Sequence, residues 1–219
     1  MNISRNIARA LLDIGAVLLR PDEPFVWTSG LKSPIYCDNR LTLSYPHVRR
    51  MIADGFVAAI RESFADADVV AGVATGGIAH AALVADRLDL PMVYVRDKAK
   101  GHGRQNVIEG ALFSGQRVVV IEDLVSTGGS SLKAVEAVRG AGARVLGVVA
   151  VFTYGFEAAA RAFAEAGVPL RALCDYPTLI EVAREENRIS LGQLEALRAW
   201  RENPEAYGGN SRINKPGSA

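Results

Sequence analysis

Charge imbalance is almost absent from this 219-residue sequence: 25 Lys and Arg stand against 24 Asp and Glu, a formal charge of +1. A near-neutral chain exerts no long-range pull on nucleic acid or an anionic membrane, so any basic site must be local. Residues 1–68 hold eight charges of each sign, which excludes a basic DNA-reading module ahead of the remainder. Cysteine is scarce as well. Cys37 and Cys174 form no C-x-x-C pair and no disulfide framework, and a reducing cytoplasm is the expected compartment. Cys174 lies in an apolar run and is expected to be a small buried hydrophobe. No apolar stretch approaches the ~20 residues of a membrane span. Arg5 and Arg9 ahead of Ala10-Leu11-Leu12 have the outline of a signal peptide, but Asp13 interrupts it. Ile7, Leu11, Ile14 and Leu18 recur instead at helical spacing and predict an amphipathic helix. Neither G-x-x-x-x-G-K-[ST] nor a G-x-G-x-x-G after a strand occurs, which removes two familiar nucleotide-binding loops.

What is present is a globular chain, 49% apolar, with an alternating pattern from residue 69 onward. Apolar runs at Val69–Val73, Met92–Val95, Val118–Ile121, Val145–Phe152 and Leu170–Leu173 alternate with helical patterns at Ile78–Asp86, Ser131–Arg139 and Phe156–Ala166. Such alternation predicts an α/β fold, a doubly wound sheet of five parallel strands covered on both faces. Pro46–Glu62 is a further helix, with Val48, Ile52, Phe56, Ala59 and Ile60 as its inward stripe. Ser190-Leu191-Gly192-Gln193 has the form of a capping box and opens a last helix through Trp200. Residues 1–205 are therefore expected to form one domain, a core at about 46–174 with a cap from about 1–45 and 175–205. The polar, Gly- and Pro-containing tail 206–219 is expected to be mobile.

The most informative stretch runs from Val118 to Ser131. Four β-branched residues read as a covered strand; Glu122 and Asp123 follow, then Leu124, Val125, Ser126, Thr127, Gly128, Gly129 and Ser130, then a helix. Such a turn sits at the carboxyl edge of a sheet, where ligands of open α/β sheets collect and a helix amino end offers N–H groups to a phosphate. The glycines permit close backbone approach to an anion. The two acids repel phosphate and suit the hydroxyls, or a bridging divalent cation, on the sugar that carries it. A second turn, Ala74-Thr75-Gly76-Gly77, follows the first core strand and can hold a diphosphate from the other side. Between them, Arg96-Asp97-Lys98-Ala99-Lys100-Gly101-His102-Gly103-Arg104-Gln105-Asn106 fits neither strand nor helix. With its cations and glycine hinges it reads as a mobile loop able to close over a polyanion. His47 and His80 are expected to have structural or surface roles.

The thirteen residues Val118–Ser130 resemble the phosphoribosyl pyrophosphate motif of the type I phosphoribosyltransferases. Two further motifs narrow the resemblance to the orotate phosphoribosyltransferase family: the loop of Arg96, Lys100, His102 and Gly103, and Thr28-Ser29-Gly30-Leu31-Lys32-Ser33-Pro34-Ile35-Tyr36-Cys37-Asp38-Asn39-Arg40. With Pro177–Ala183, the similarity spans residues 25–185. It implies transfer of phosphoribose to N1 of orotate, giving orotidine 5′-monophosphate and pyrophosphate in pyrimidine (UMP) biosynthesis. It also implies Mg²⁺ held mainly by substrate and water rather than by protein ligands, and a homodimer whose loop lysine reaches the neighbouring subunit's site.

On this resemblance Lys100, His102 and Asp123 are the expected catalytic residues. The donor is expected to meet Arg96, Lys100, His102, residues 122–130, Thr75, Gly76 and Gly77. Orotate is expected to meet Lys32, Tyr36, Cys37, Arg40 and Thr127. Thr28 and Tyr154 stand where relatives often carry a cation, and a common lysine is replaced near Gly76, so Lys32 or Arg40 is expected to meet the orotate carboxylate. Two other readings share part of this pattern: a phosphoribosyltransferase for a purine, xanthine or uracil, and a non-catalytic regulator that senses the donor. Neither calls for both the Ser29–Pro34 motif and the His102 loop.

Overall fold

The structure is a computed structural model that describes residues 2–26, 32–97 and 107–207. In chain order the elements are α1 (Ile3–Asp13), β1 (Val17–Leu19), β2 (Phe25–Val26), β3 (Lys32–Ser33), β4 (Ile35–Cys37), a 3₁₀ helix (Asn39–Ser44), α2 (Pro46–Ser63), β5 (Val69–Val73) and α3 (Gly76–Leu88). These are followed by β6 (Met92–Val95), β7 (Ile108–Glu109), β8 (Arg117–Val125), α4 (Gly129–Gly140), β9 (Arg144–Thr153) and α5 (Glu157–Glu165). The chain then runs through β10 (Leu170–Asp175), α6 (Tyr176–Glu185) and α7 (Leu191–Glu202).

Six strands form the main sheet in the order β10-β9-β8-β5-β6-β7. Five are parallel, as the alternation predicts; the sixth, β7, pairs antiparallel with β6 through Tyr94↔Glu109 and Val95↔Ile108. From β5 the chain winds outward to β6 and β7, then returns to the other side of β5 and winds outward again through β8, β9 and β10. The strand order therefore reverses between β5 and β8. Doubly wound sheets open their ligand crevice at such a point, beyond the carboxyl ends of the strands.

Period-two alternation divides the buried residues between two layers. Val70, Val119, Ile121, Val149 and Val151 pack with α1, α2, α3, α6 and α7. Val69, Ala71, Val73, Val118, Val120 and Val148 pack with α4 and α5. Consecutive valines thus feed opposite layers, which is why the strands read as unbroken apolar runs.

The ends of the chain fold over the first layer. α1 stops at Asp13 because Gly15 turns the backbone to φ +70°, so the helical period through Ile14 and Leu18 does not continue. Leu18 instead lies on β1, 38% exposed and paired with Tyr36. α6 starts on Tyr176 and Pro177, with the Asp175 carboxylate accepting from Thr178 N at 2.8 Å. Ser190 and Gln193 form the expected reciprocal cap of α7. Among the described residues, no helix is long and apolar enough to cross a membrane. The expectations for residues 27–31, the loop 98–106 and the tail 208–219 fall outside the described residues.

Candidate active site

Both Gly-rich turns lie at the reversal point. Ala74-Thr75 leads from β5 into α3 on one face of the sheet, and Ser126-Thr127-Gly128 leads from β8 into α4 on the other. Gly128 caps α4 at φ +87°, a conformation that disfavours a Cβ, and a Cβ there would also meet Phe163 of α5 at 2.8 Å. The end of the neighbouring strand holds this turn: Tyr154 N and the Thr153 hydroxyl both donate to Val125 O, at 3.1 and 3.2 Å. Neither helix uses a side-chain amino cap, so their first-turn amides point into the crevice available to an anion.

β8 runs to Val125, beyond the expected end at Ile121, so both acids are strand residues. Glu122 is buried, 4% exposed. Its carboxyl group accepts from the Ser130 and Ser131 hydroxyls at 3.1 and 3.0 Å and from Asp123 N at 3.1 Å. Burial pushes its pKa up to about 8, aided by the hydrogen bond and charge of Asp123 beside it, while Ser131 pulls the other way. Asp123 is half-buried and lies against α3: a Cβ on Gly76 would collide with its carboxylate. A Cβ on Gly77 would collide instead with the carbonyl oxygen of Ile121. The two glycines thus let α3 press onto β8 and bring Asp123 to the second turn.

A third wall comes from the amino-terminal segment. Asn39, 1% exposed, donates from Nδ2 to Asp123 O at 2.7 Å and accepts from the Cys37 thiol at 3.4 Å. Burial, and then the charges of Asp123 and Asp38, push the Cys37 thiol far above its usual range. Tyr36, 44% exposed, packs near Phe25 with the rings tilted by 41° and their centroids 5.7 Å apart.

The expected site residues form two neighbouring groups. Lys32, Ser33, Ser126 and Thr127 line a cavity of about 390 Å³ together with Phe156, Arg161, Trp200 and Arg201. Thr75, Arg96 and Ser130 line another of about 320 Å³ with Asp97 and Lys133. Arg96 also forms an ion pair with Glu109 at 3.5 Å. Arg40 lines neither cavity. Its guanidinium is bidentate to Asp38, with Nε–Oδ1 2.7 Å and Nη2–Oδ2 3.0 Å, and holds that carboxyl below its ordinary range. Tyr154 is 4% exposed and sits in an aromatic cluster, stacked on Phe156 at 5.3 Å and edge-on to Trp200 at 5.8 Å. Lys100 and His102 lie outside the described residues.

Residues 46–167 match the family described as the phosphoribosyl transferase domain. A relative from Halalkalibacterium halodurans, named orotate phosphoribosyltransferase, is 59% identical over 92% of this chain and 96% of its own. The chain belongs to the orotate phosphoribosyltransferase family. The fold agrees with that of the family's solved members. The crystal structure of orotate phosphoribosyltransferase from Aeropyrum pernix has a TM-score of 0.73 to it, at 33% identity over 84% of this chain and 99% of that one. The Mycobacterium tuberculosis H37Rv orotate phosphoribosyltransferase, solved in complex with 5-phospho-alpha-D-ribosyl 1-diphosphate, has a TM-score of 0.64 at 25% identity over 81% of this chain and 98% of that one.

Asn39, Ser131 and His80 were not singled out as functional by sequence. Asn39 belongs to the quoted amino-terminal motif and Ser131 directly follows the donor motif, so position alone could have flagged those two. His80 carried no signal beyond its helical spacing.

Proposed function

We propose that this chain transfers 5-phosphoribose from phosphoribosyl pyrophosphate to N1 of orotate, giving orotidine 5′-monophosphate and pyrophosphate. The observation that carries the reading is the position of Asp123, a carboxylate lodged between a phosphate-type turn and a second Gly-rich turn at the reversal of strand order. In the reaction the bond from the anomeric carbon to the diphosphate oxygen breaks as the bond to N1 forms, and the N1 proton is lost to solvent. Positive charge develops on the ribose and negative charge on the departing diphosphate.

The residues divide these tasks. Amides of the Ser126–Ser130 turn bind the 5′-phosphate. Asp123 accepts hydrogen bonds from ribose hydroxyls and faces the developing cation. Glu122, gripped by Ser130 and Ser131, joins the ribose contact to the phosphate turn. Thr75, Gly76 and Gly77 meet the diphosphate, with Arg96 beside them. Lys100 and His102 complete its neutralisation and exclude water when their loop closes, and His102 is also suited to protonate pyrophosphate. Bound magnesium would add positive charge to the diphosphate oxygens. Among the described residues no group of three or more His, Cys, Asp or Glu is placed to hold a metal by itself. A cation carried in on substrate oxygens fits a single available carboxylate such as Asp123.

For the acceptor, backbone groups at Tyr36 and Cys37 hold the pyrimidine and Thr127 borders it. Lys32 is the better candidate than Arg40 for the orotate carboxylate, because it shares a cavity with Ser126 and Thr127 while Arg40 is committed to Asp38. Two copies acting together, with the loop lysine serving the neighbouring site, complete the reading. Balanced charge and two unpaired cysteines support a cytoplasmic enzyme. An assay with donor, magnesium and orotate, uracil, hypoxanthine or adenine tests it. Orotidine monophosphate from orotate alone is expected; a nucleotide from another base, or none, overturns the reading.

A further inference from the structure

His80 lies on α3 one helical turn beyond Gly76, and its side chain is fully buried. Neither Nδ1 nor Nε2 makes a hydrogen bond among the described residues. The Phe56 ring of α2 covers it, centroids 5.9 Å apart. Residues four apart on a helix share a face. The Gly76 end of that face meets the Asp123 carboxylate, and Asp123 is the charged group that acts on the imidazole. Burial holds the ring neutral, its pKa lowered to about 4, so it keeps one N–H donor and one bare acceptor nitrogen.

A helix position that needed only filling would be satisfied by an apolar side chain, since a buried polar group without a partner opposes folding. The neighbouring carboxylate supplies a reason for this one. We propose that His80 is a positioning residue for Asp123: the ring N–H, which has no hydrogen-bond partner among the described residues, turns onto the inward side of the carboxylate as ribose hydroxyls take the outward lone pairs. A carboxylate has room for both, because its two oxygens accept about four hydrogen bonds. Asn39 holds the Asp123 main chain through its carbonyl oxygen, which leaves the side-chain angle to be set separately. The inference rests on the reading of Asp123 as the ribose-binding carboxylate.

Variants at two positions test it. His80→Leu removes both ring nitrogens, while His80→Asn and His80→Gln keep an N–H near the Nδ1 and Nε2 positions. His80→Leu is expected to melt no lower than the parent and to lose about tenfold in kcat, the scale of an outer partner of a reacting group, with KM for orotate unchanged. Asn or Gln is expected to recover most of that loss. If the Leu chain does not fold, His80→Met is assayed in its place. Turnover within twofold of the parent in a folded apolar variant overturns the inference, as does equal loss in the apolar and both amide variants. Asp123→Asn separates the two readings. If that variant is slow while His80→Leu is normal, only the role of His80 falls. If Asp123→Asn is itself normal, the assignment of Asp123 falls with it.

Discussion

The carboxylate of Asp123 lies against the backbone of Gly76, in the space a Cβ at that position would occupy. One residue further on, Gly77 faces the main-chain carbonyl of Ile121 instead. The two glycines of the turn therefore guard different things. In Gly76→Ala the yielding atoms are the end of a side chain, so the fold should survive while Asp123 is displaced. Turnover should drop on the order of a hundredfold, the cost of misplacing a reacting group by about 1 Å. In Gly77→Ala the obstacle is backbone, and a loss of about 1–3 kcal/mol in stability is expected. Steady-state kinetics and urea unfolding of both variants check the contrast, and equal effects on both measures would contradict it.

Glu122 makes stability depend on pH. Its ordinary pKa of 4.5 is raised to about 8 in the fold, so folding favours the protonated form. That contribution is complete below about 4.5 and fades as pH climbs through about 8. Glu122→Gln is permanently neutral and still offers an oxygen to Ser130 and Ser131. Its melting temperature should gain on that of the parent steadily between these two pH values. A constant difference across the range would show that the carboxyl ionises normally.

Lys32 and Arg40 should behave differently toward the acceptor. Lys32→Ala is expected to raise KM for orotate by about tenfold or more, the equivalent of about 1.5 kcal/mol for a charge-assisted bond. Arg40→Ala releases Asp38 but should leave that constant near its parent value. The reverse ranking would move the carboxylate contact to Arg40.

Lys100→Ala and His102→Ala should each lower kcat by about a hundredfold, as for a positioned catalytic group, without changing the melting temperature. Normal turnover in both would remove the loop from the chemistry. If the lysine serves a neighbouring subunit, mixing the Lys100→Ala and Asp123→Asn chains should restore part of the activity that neither has alone.

The parallel strands were legible because burial on both faces demands unbroken apolar runs, as at Val69–Val73 and Val118–Ile121. The turn between β8 and α4 was legible because a strand, two acids and small residues in succession mark the end of a strand and the start of a helix. Elements of two or three residues were not: β2 with β3, and β7, are too short for a period to register. Helical spacing misled at Leu18, since Gly15 breaks α1 before it. Asp175 ahead of Tyr176-Pro177 is a helix start of capping carboxylate and early proline, a signal the sequence carries in plain view. Buried polar partners were the least visible. A serine such as Ser131 in a helix looks the same whether it faces water or a carboxylate, and only packing reveals which.

The bond from Asn39 to the Asp123 carbonyl spans 84 positions of sequence. During synthesis the amide exists long before its acceptor emerges from the ribosome, so the amino-terminal wall of the cleft cannot dock until β8 has been made. Contacts of such long range form slowly because the intervening chain must first be brought together. The cleft is accordingly a late product of folding, and a nascent chain stalled before β8 would have neither half of it in place.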